Sequence, residues 1–365
     1  MAASGLTSAT PPFAIGMIVG PPVMGLATLR LPRRFTLVLA LAVFAAGHVI
    51  AALSSSFTVV FAARVLSALA TGTFWAVASI VATAAGPAAR SRALGIMISG
   101  SALATVIGVP VGTWAGQAVG WRGTFWALAA LAAVVSLLIS WFVPADTTRA
   151  TASVRSEFAT LRQGRLWLSM SPTALITGGA MAAFSYITPL LTERTGISAG
   201  WVSLVLIGYG LGALTGTNLG GRLGDRKPLA TVTGAAIGAA LILLLLIPLS
   251  AHAVPTIVLV VLLGMAGMAV PPVVTSLAVR FAGDAPTLAA ALAVSSFNVG
   301  IALGTWIAGS ALESSLGLTG PALVGTVMVT LALAPLAALG AIRATRTTAP
   351  HQPAPTSEAD IASGV

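Results

Sequence analysis

The segment Gly25-Leu26-Ala27-Thr28-Leu29-Arg30-Leu31-Pro32-Arg33-Arg34 places a basic turn between two apolar runs. A second glycine-to-arginine turn, Gly221-Arg222-Leu223-Gly224-Asp225-Arg226-Lys227, occupies a similar place almost two hundred residues later. Around these turns the 365-residue chain is 57% hydrophobic and 7% charged, with a mean hydropathy of +1.00. A soluble domain carries roughly 25% charged residues, so this is the composition of an integral membrane protein.

The net charge of +10 does not indicate nucleic acid. A nucleic-acid binder gathers its basic residues on one solvated face, often with aromatics for stacking; here they are dealt out in small groups between apolar runs. Cysteine is absent, which removes disulfides, thiolate chemistry and cysteine metal sites. No cofactor and no metal site are expected.

Apolar spans run at about 11–29, 35–54, 57–82, 94–116, 121–143, 166–190, 200–220, 229–249, 254–279, 286–311 and 320–342. Most approach the ~20 residues that a helix needs to cross ~30 Å of hydrocarbon. They are continuously apolar rather than alternating, which selects helices over a closed barrel as the way to satisfy the backbone in lipid. The expected fold class is all-α integral membrane, with eleven transmembrane helices.

Basic residues orient the spans. Of 18 Lys and Arg, 15 fall in alternate connections and the C-terminal tail, among them Arg30, Arg33, Arg34, Arg90, Arg92, Arg222, Arg226 and Arg280. Arg122 and Arg194 lie on the opposite side, and Arg64 lies within a span. The positive-inside rule puts the larger set, and the C-terminus, in the cytoplasm.

The sequence also repeats. Ile15-Gly16 and Gly20 match Ile207-Gly208 and Gly212 at an offset of 192; Gly108 and Gly112-Thr113-Trp114 match Gly300 and Gly304-Thr305-Trp306 at the same offset. The basic turns match at 192 to 196, depending on the placement of the gap. Two superimposed halves follow: a five-helix bundle over 1–143, a cytoplasmic connector over 144–165, a six-helix bundle over 166–343, and a proline-rich, disordered cytoplasmic tail over 344–365. Applying the offset to span 166–190 puts its partner upstream of Met1, so the first transmembrane helix of the fold is expected to be missing from the given sequence.

Two six-helix halves in parallel repetition, joined by a long connector, resemble the major facilitator superfamily. In that superfamily the connection after the second helix carries a glycine, three residues, Asp-Arg, then a glycine and a basic pair. Gly25, Arg30, Arg33 and Arg34 match, whereas Leu29 replaces the acid and Pro32 the glycine. The second copy keeps Gly221, Asp225, Arg226 and Lys227. Within the superfamily the chain is most similar to the twelve-helix drug:proton antiporters, particularly the bacterial chloramphenicol and sugar efflux branch. The matching residues there are the Arg-Leu-Pro-Arg-Arg turn, Arg64 followed by Gly72, Phe74 and Trp75, the Gly108-x-Pro110-x-Gly112 segment, and Gly120 to Trp126.

The resemblance implies a multi-pass transporter of the bacterial plasma membrane, not an enzyme. It would be a monomer among membrane lipids, exporting a small-molecule substrate such as an amphipathic drug in exchange for protons. A sugar or metabolite exporter, or an inactive truncated transporter, are the alternatives. A membrane enzyme would need a convergent nucleophile or metal-ligand set, which three scattered histidines with no acid inside the spans do not supply.

Arg30, Arg33, Arg34, Gly221, Asp225 and Arg226 are candidates for a conformational latch, with lipid anchoring as the simpler reading of Arg33 and Arg34. Arg64 is costly at its depth unless it faces water or a partner, which makes it a candidate for the cavity or the proton path; snorkelling to the headgroups is the competing reading. Trp75, Thr105, Tyr186, Tyr209 and Asn298 are candidate substrate contacts, each polar or aromatic at mid-depth. Gly108, Pro110 and Gly112, with Gly300 and Gly304, are expected to bend two helices at the interface of the halves. His48 is read as a packed polar residue rather than the coupling group, which is expected on the missing helix. Solvation at helix ends explains Glu193 and Asp146.

Overall fold

The computed structural model describes residues 10–84, 88–144, 154–283 and 286–347. Its helices are α1 Thr10–Ala27, α2 Arg33–Leu53, α3 Phe57–Thr83, α4 Arg90–Leu103, α5 Val109–Phe142, α6 Val154–Thr160 and α7 Gly164–Ser185. They continue as α8 Ala199–Arg226, α9 Pro228–Leu249, α10 Ala253–Met268, α11 Val270–Phe281, α12 Pro286–Leu312, α13 Gly320–Leu331 and α14 Leu333–Thr347. Among the described residues, eight helices are long and apolar enough to cross a membrane, or nine if the bent pair Gly164–Ser185 and Ile187–Arg194 counts as one span. The other two expected spans correspond to the shorter apolar helix Gly16–Ala27 and to the run from α4 into α5.

Local chemistry decides where these helices stop. After α1, the Thr28 hydroxyl donates to Met24 O at 2.7 Å and Leu31 N to Thr28 O at 2.9 Å, closing a tight turn that Pro32, at φ −56° and ψ 135°, hands on to α2. Between α8 and α9, Pro228 takes the first helical position, where its missing N–H costs nothing. The preceding Lys227 sits at φ −137° and ψ 70°, off the helical region as the pyrrolidine ring demands.

The run from α4 to α5 passes through one π-helical turn, Ala104–Gly108. Pro110 lies just beyond it and offers no amide donor, so the regular ladder cannot run through it and a wider turn takes its place. Further on, Gly120 adopts φ 71° and ψ 172°, a left-handed conformation that a side chain would oppose. It divides α5 into the end of one span and the start of the next.

Gly300 and Gly304 behave differently from their partners in the first half. They lie in the continuous helix α12, where a Cβ on either would run into the backbone of α7 at Ala174 or Gly178. A Cβ on Gly178 would in turn stand 2.5 Å from Gly300 O. At these two glycines the helix packs closely, of the kind small residues allow in lipid, and the element met there is α7. The connector residues 145–153, with Asp146 and Arg149, and the tail from 348 lie outside the described residues.

Candidate functional site

The two groups of helices, α1–α5 and α7–α14, meet at the end that carries most of the arginines. Asp225, at the end of α8, accepts hydrogen bonds from two backbone amides of α4, Ser91 N at 2.7 Å and Arg92 N at 3.1 Å. These are donors of the first helical turn, which have no partner within their own helix, and the positive end of the helix dipole favours a carboxylate there. The approach depends on glycine. A Cβ on Gly221 would lie 2.7 Å from Ser91 O, and one on Gly95 would lie 2.6 Å from Thr217 O.

One turn deeper, Asn218 Nδ2 donates to Ser99 Oγ at 2.7 Å, and the Ser99 and Thr217 hydroxyls are 3.0 Å apart. On the other side of the molecule, the Ser295 hydroxyl donates to Ile18 O at 2.6 Å, and Gly25 faces Ala291 and Thr287. The Asp225 and Gly25 contacts lie beside the basic turns and the others lie deeper along the same helices, so the two groups are closed against each other at the basic end.

A cavity of about 200 Å³ lies between the two groups, beside the deeper of these contacts. Trp75, Met17 and Met97 come to it from the first group, and Met268, Phe297 and Asn298 from the second. Its walls are mostly apolar, with hydroxyls at Ser79, Ser101, Thr173 and Thr275. The Ser79 hydroxyl is used within its own helix, donating to Trp75 O at 2.7 Å, and Asn298 Nδ2 donates to Val294 O at 2.8 Å. Among the described residues, Thr173 Oγ1 is buried with no hydrogen-bond partner. Burying a hydroxyl unpaired is costly, which makes it a position where a ligand acceptor would be stabilised.

Of the candidate substrate residues, Trp75 and Asn298 line this cavity. Tyr209 is 3% exposed in the core of the second group, its ring stacked on Phe184 at 3.8 Å. Tyr186 donates from its hydroxyl to Thr305 O at 3.2 Å, tying α7 to α12. The side chain of Thr105 lies outside the described residues. Arg64 does not line the cavity: its guanidinium stands 6.0 Å from the Phe125 ring centroid, between α3 and α5. His48 is buried beside it, with Nδ1 2.8 Å from Phe44 O and its ring 4.1 Å from that of Phe44. A ring nitrogen engaged by a carbonyl acts as the donor, the arrangement of a packed histidine.

The latch candidates divide. Asp225 and Gly221 stand at the junction of the two groups. Arg34 instead donates to Ser140 O, fixing α2 to the end of α5. Arg226 joins Arg165 and Arg280 around an open recess of about 510 Å³ at the basic end, Arg30 is exposed, and Arg33 is half-buried. The residue that sequence reasoning passed over is Glu157, set aside as part of the connector: it is fully buried and bonds to α12. Ser79, Met97, Thr173 and Thr275 were also missed. Ser79 lies four residues after Trp75, so helical spacing could have pointed to it.

The Major Facilitator Superfamily profile matches residues 2–305. The chain is 35% identical over 336 residues to a chloramphenicol resistance protein of Streptomyces lividans, covering 90% of this chain and 84% of that protein. It is 30% identical over 322 residues to the inner membrane transport protein YdhP of Escherichia coli strain K12, covering 88% and 83%. Among solved structures, the transporter FucP in the outward conformation superimposes with a TM-score of 0.77 at 16% identity, over 92% of this chain and 90% of that one. With two pseudo-symmetric groups of apolar helices and a cavity between them, this chain belongs to the Major Facilitator Superfamily of membrane transporters.

Proposed function

We propose that the protein exports small amphipathic compounds of the chloramphenicol type across the plasma membrane, by alternating access coupled to proton entry. The observation that carries this reading is the cavity shared by both groups. Its Trp, Phe and Met walls suit an aromatic or aliphatic body, while Thr173 and Asn298 offer polar handles. Ligand sites of this type are mainly apolar with a few placed polar groups; a sugar, with hydroxyls on every side, would leave most of its donors unmatched here.

With the positive-inside orientation the end at which the two groups touch is cytoplasmic, and on this reading the state described is the one sealed toward the cytoplasm. Substrate and proton would each favour one facing state, which is what exchange at a single cavity requires. The similarity to the chloramphenicol resistance protein over nine-tenths of the chain supports the substrate class, and proton coupling follows from the likeness to drug:proton antiporters.

The test is uptake of radiolabelled chloramphenicol into inside-out vesicles, or proteoliposomes of that orientation, under an imposed pH gradient. Uptake is expected with the parent chain and is expected to fall in Trp75→Ala and Asn298→Ala. Uptake indistinguishable from protein-free vesicles would reject the substrate class. Uptake that persists when the pH gradient is collapsed would reject proton coupling.

A further inference from the structure

The internal repeat predicts a contact that the first basic turn cannot make. Gly25, Leu29, Ser91 and Arg92 correspond to Gly221, Asp225, Thr287 and Leu288, each pair separated by 196 positions. Asp225 of the second half caps Ser91 and Arg92 of the first, so symmetry asks residue 29 to cap Thr287 and Leu288 at the start of α12. The backbone is arranged for this. Gly25 faces Thr287, with a Cβ placed 3.7 Å from Thr287 Cγ2, as Gly221 faces Ser91. Residue 29, however, is a buried leucine, with no acceptor to offer.

Those two amides are nonetheless satisfied. Thr287 N donates to Glu157 Oε1 at 3.2 Å and Leu288 N to Glu157 Oε2 at 2.8 Å. Glu157 belongs to α6 in the connector and is 0% exposed. The geometry repeats that of Asp225 in register as well as in chemistry: one carboxylate, both oxygens engaged, on the second and third amides of a helix. In α12 the first position is Pro286, which has no amide to satisfy.

We infer that Glu157 is the positioning residue for the start of α12 at the cytoplasmic closure, supplying from the connector the carboxylate that Leu29 lacks. Without a cap, two donors of α12 would be buried unpaired where that turn packs against Gly25 of α1, and the first turn would fray from the seal. The two caps also differ in what they join. Asp225 bridges the two groups and must release α4 when the cytoplasmic end opens. Glu157 lies on a connector tied to α7, where the Trp167 indole N–H donates to Leu161 O at 2.8 Å, so it travels with α12. The inference rests on the two-state reading of the fold and not on any substrate.

The test uses thiol accessibility in the full chain, which has no cysteine of its own. A single reporter, Ser101→Cys, is placed in the cavity wall beside the closure and labelled in inside-out vesicles with a membrane-impermeant maleimide. Glu157→Gln is expected to raise the labelling rate roughly tenfold or more, the scale of losing a hydrogen bond to a charged group. Adding Leu29→Asp to Glu157→Gln is expected to return the rate to or below the parent value, because the carboxylate then comes from the symmetric position.

A parent-like rate in Glu157→Gln overturns the inference, and so does an unrestored rate in the double variant. Should Glu157→Gln fail to insert, Leu29→Asp alone carries the test. Two carboxylates then compete for Thr287 and Leu288, the connector loosens, and trypsin cuts at Arg155 or Arg162 several-fold faster; an unchanged cleavage rate would refute it. None of these readouts involves export, so a failure here is distinct from a failure of the proposed substrate.

Discussion

Replacing Thr173 by valine exchanges one hydroxyl for a methyl group and leaves the shape of the side chain intact. Thr173 is 2% exposed and its Oγ1 has no hydrogen-bond partner among the described residues, so the hydroxyl carries an unpaired desolvation cost of about 1–3 kcal/mol. Valine removes that cost, and the protein without added compound is expected to unfold at a higher temperature. A bound compound that accepts a hydrogen bond from Thr173 would gain about 0.5–1.5 kcal/mol from it. Losing that bond weakens affinity by roughly 2- to 12-fold, since 1.4 kcal/mol is tenfold.

The assay is equilibrium binding of radiolabelled chloramphenicol to the purified chain in lipid nanodiscs, paired with a thermal unfolding curve of the same sample. The expected signature is opposed: weaker binding together with a raised midpoint. Unchanged affinity with a raised midpoint would remove Thr173 from the substrate site. A lowered midpoint would show that the hydroxyl has a partner in the folded protein, and would refute the premise.

Two other perturbations test the packing and the closure. Gly300→Val drives a branched side chain into the backbone of α7 at Ala174, contact with backbone rather than with a yielding side chain. Overpacking of this kind costs about 1–3 kcal/mol or more, so a marked loss of monodisperse protein in detergent-solubilised samples is expected; a native yield and elution profile would contradict the close packing. Ser99→Ala removes the hydrogen bonds by which Asn218 and Thr217 reach from α8 to α4, worth about 1 kcal/mol per bond, while their bonds within α8 remain. It is expected to speed cytoplasmic-side labelling of the Ser101→Cys reporter about fivefold per bond lost, and an unaltered rate would remove the cluster from the closure.

The candidate site was half legible in the sequence. Trp75 and Asn298 stand in the cavity because both a polar or aromatic character and a mid-span depth can be read from sequence. Tyr186 and Tyr209 share those properties but point within the second group of helices. Their spans are apolar all round, so periodicity gives no inward face, and direction is fixed by packing partners such as Phe184 and Thr305. Arg64 was recognised as costly in lipid; that an aromatic ring on another helix, Phe125, faces it depends on tertiary packing. Glycines were legible as close-approach positions, but whether Gly300 bends a helix or receives one depends on which helix lies opposite.

The basic turns show the division most clearly. From sequence alone came the membrane fold, the grouping of the arginines in alternate connections, the repeat, and the fact that Leu29 cannot take the part that Asp225 takes. Composition and spacing suffice for these because lipid imposes span length and charge asymmetry on every residue alike. What meets the amides of Thr287 and Leu288 could not be read that way. Glu157 is 130 residues away in the chain and outside the repeat, and it becomes their partner only when the connector folds beneath α12 and buries its carboxylate against that helix. A buried charge must find its hydrogen bonds wherever the fold brings donors within reach, and that proximity belongs to the tertiary structure.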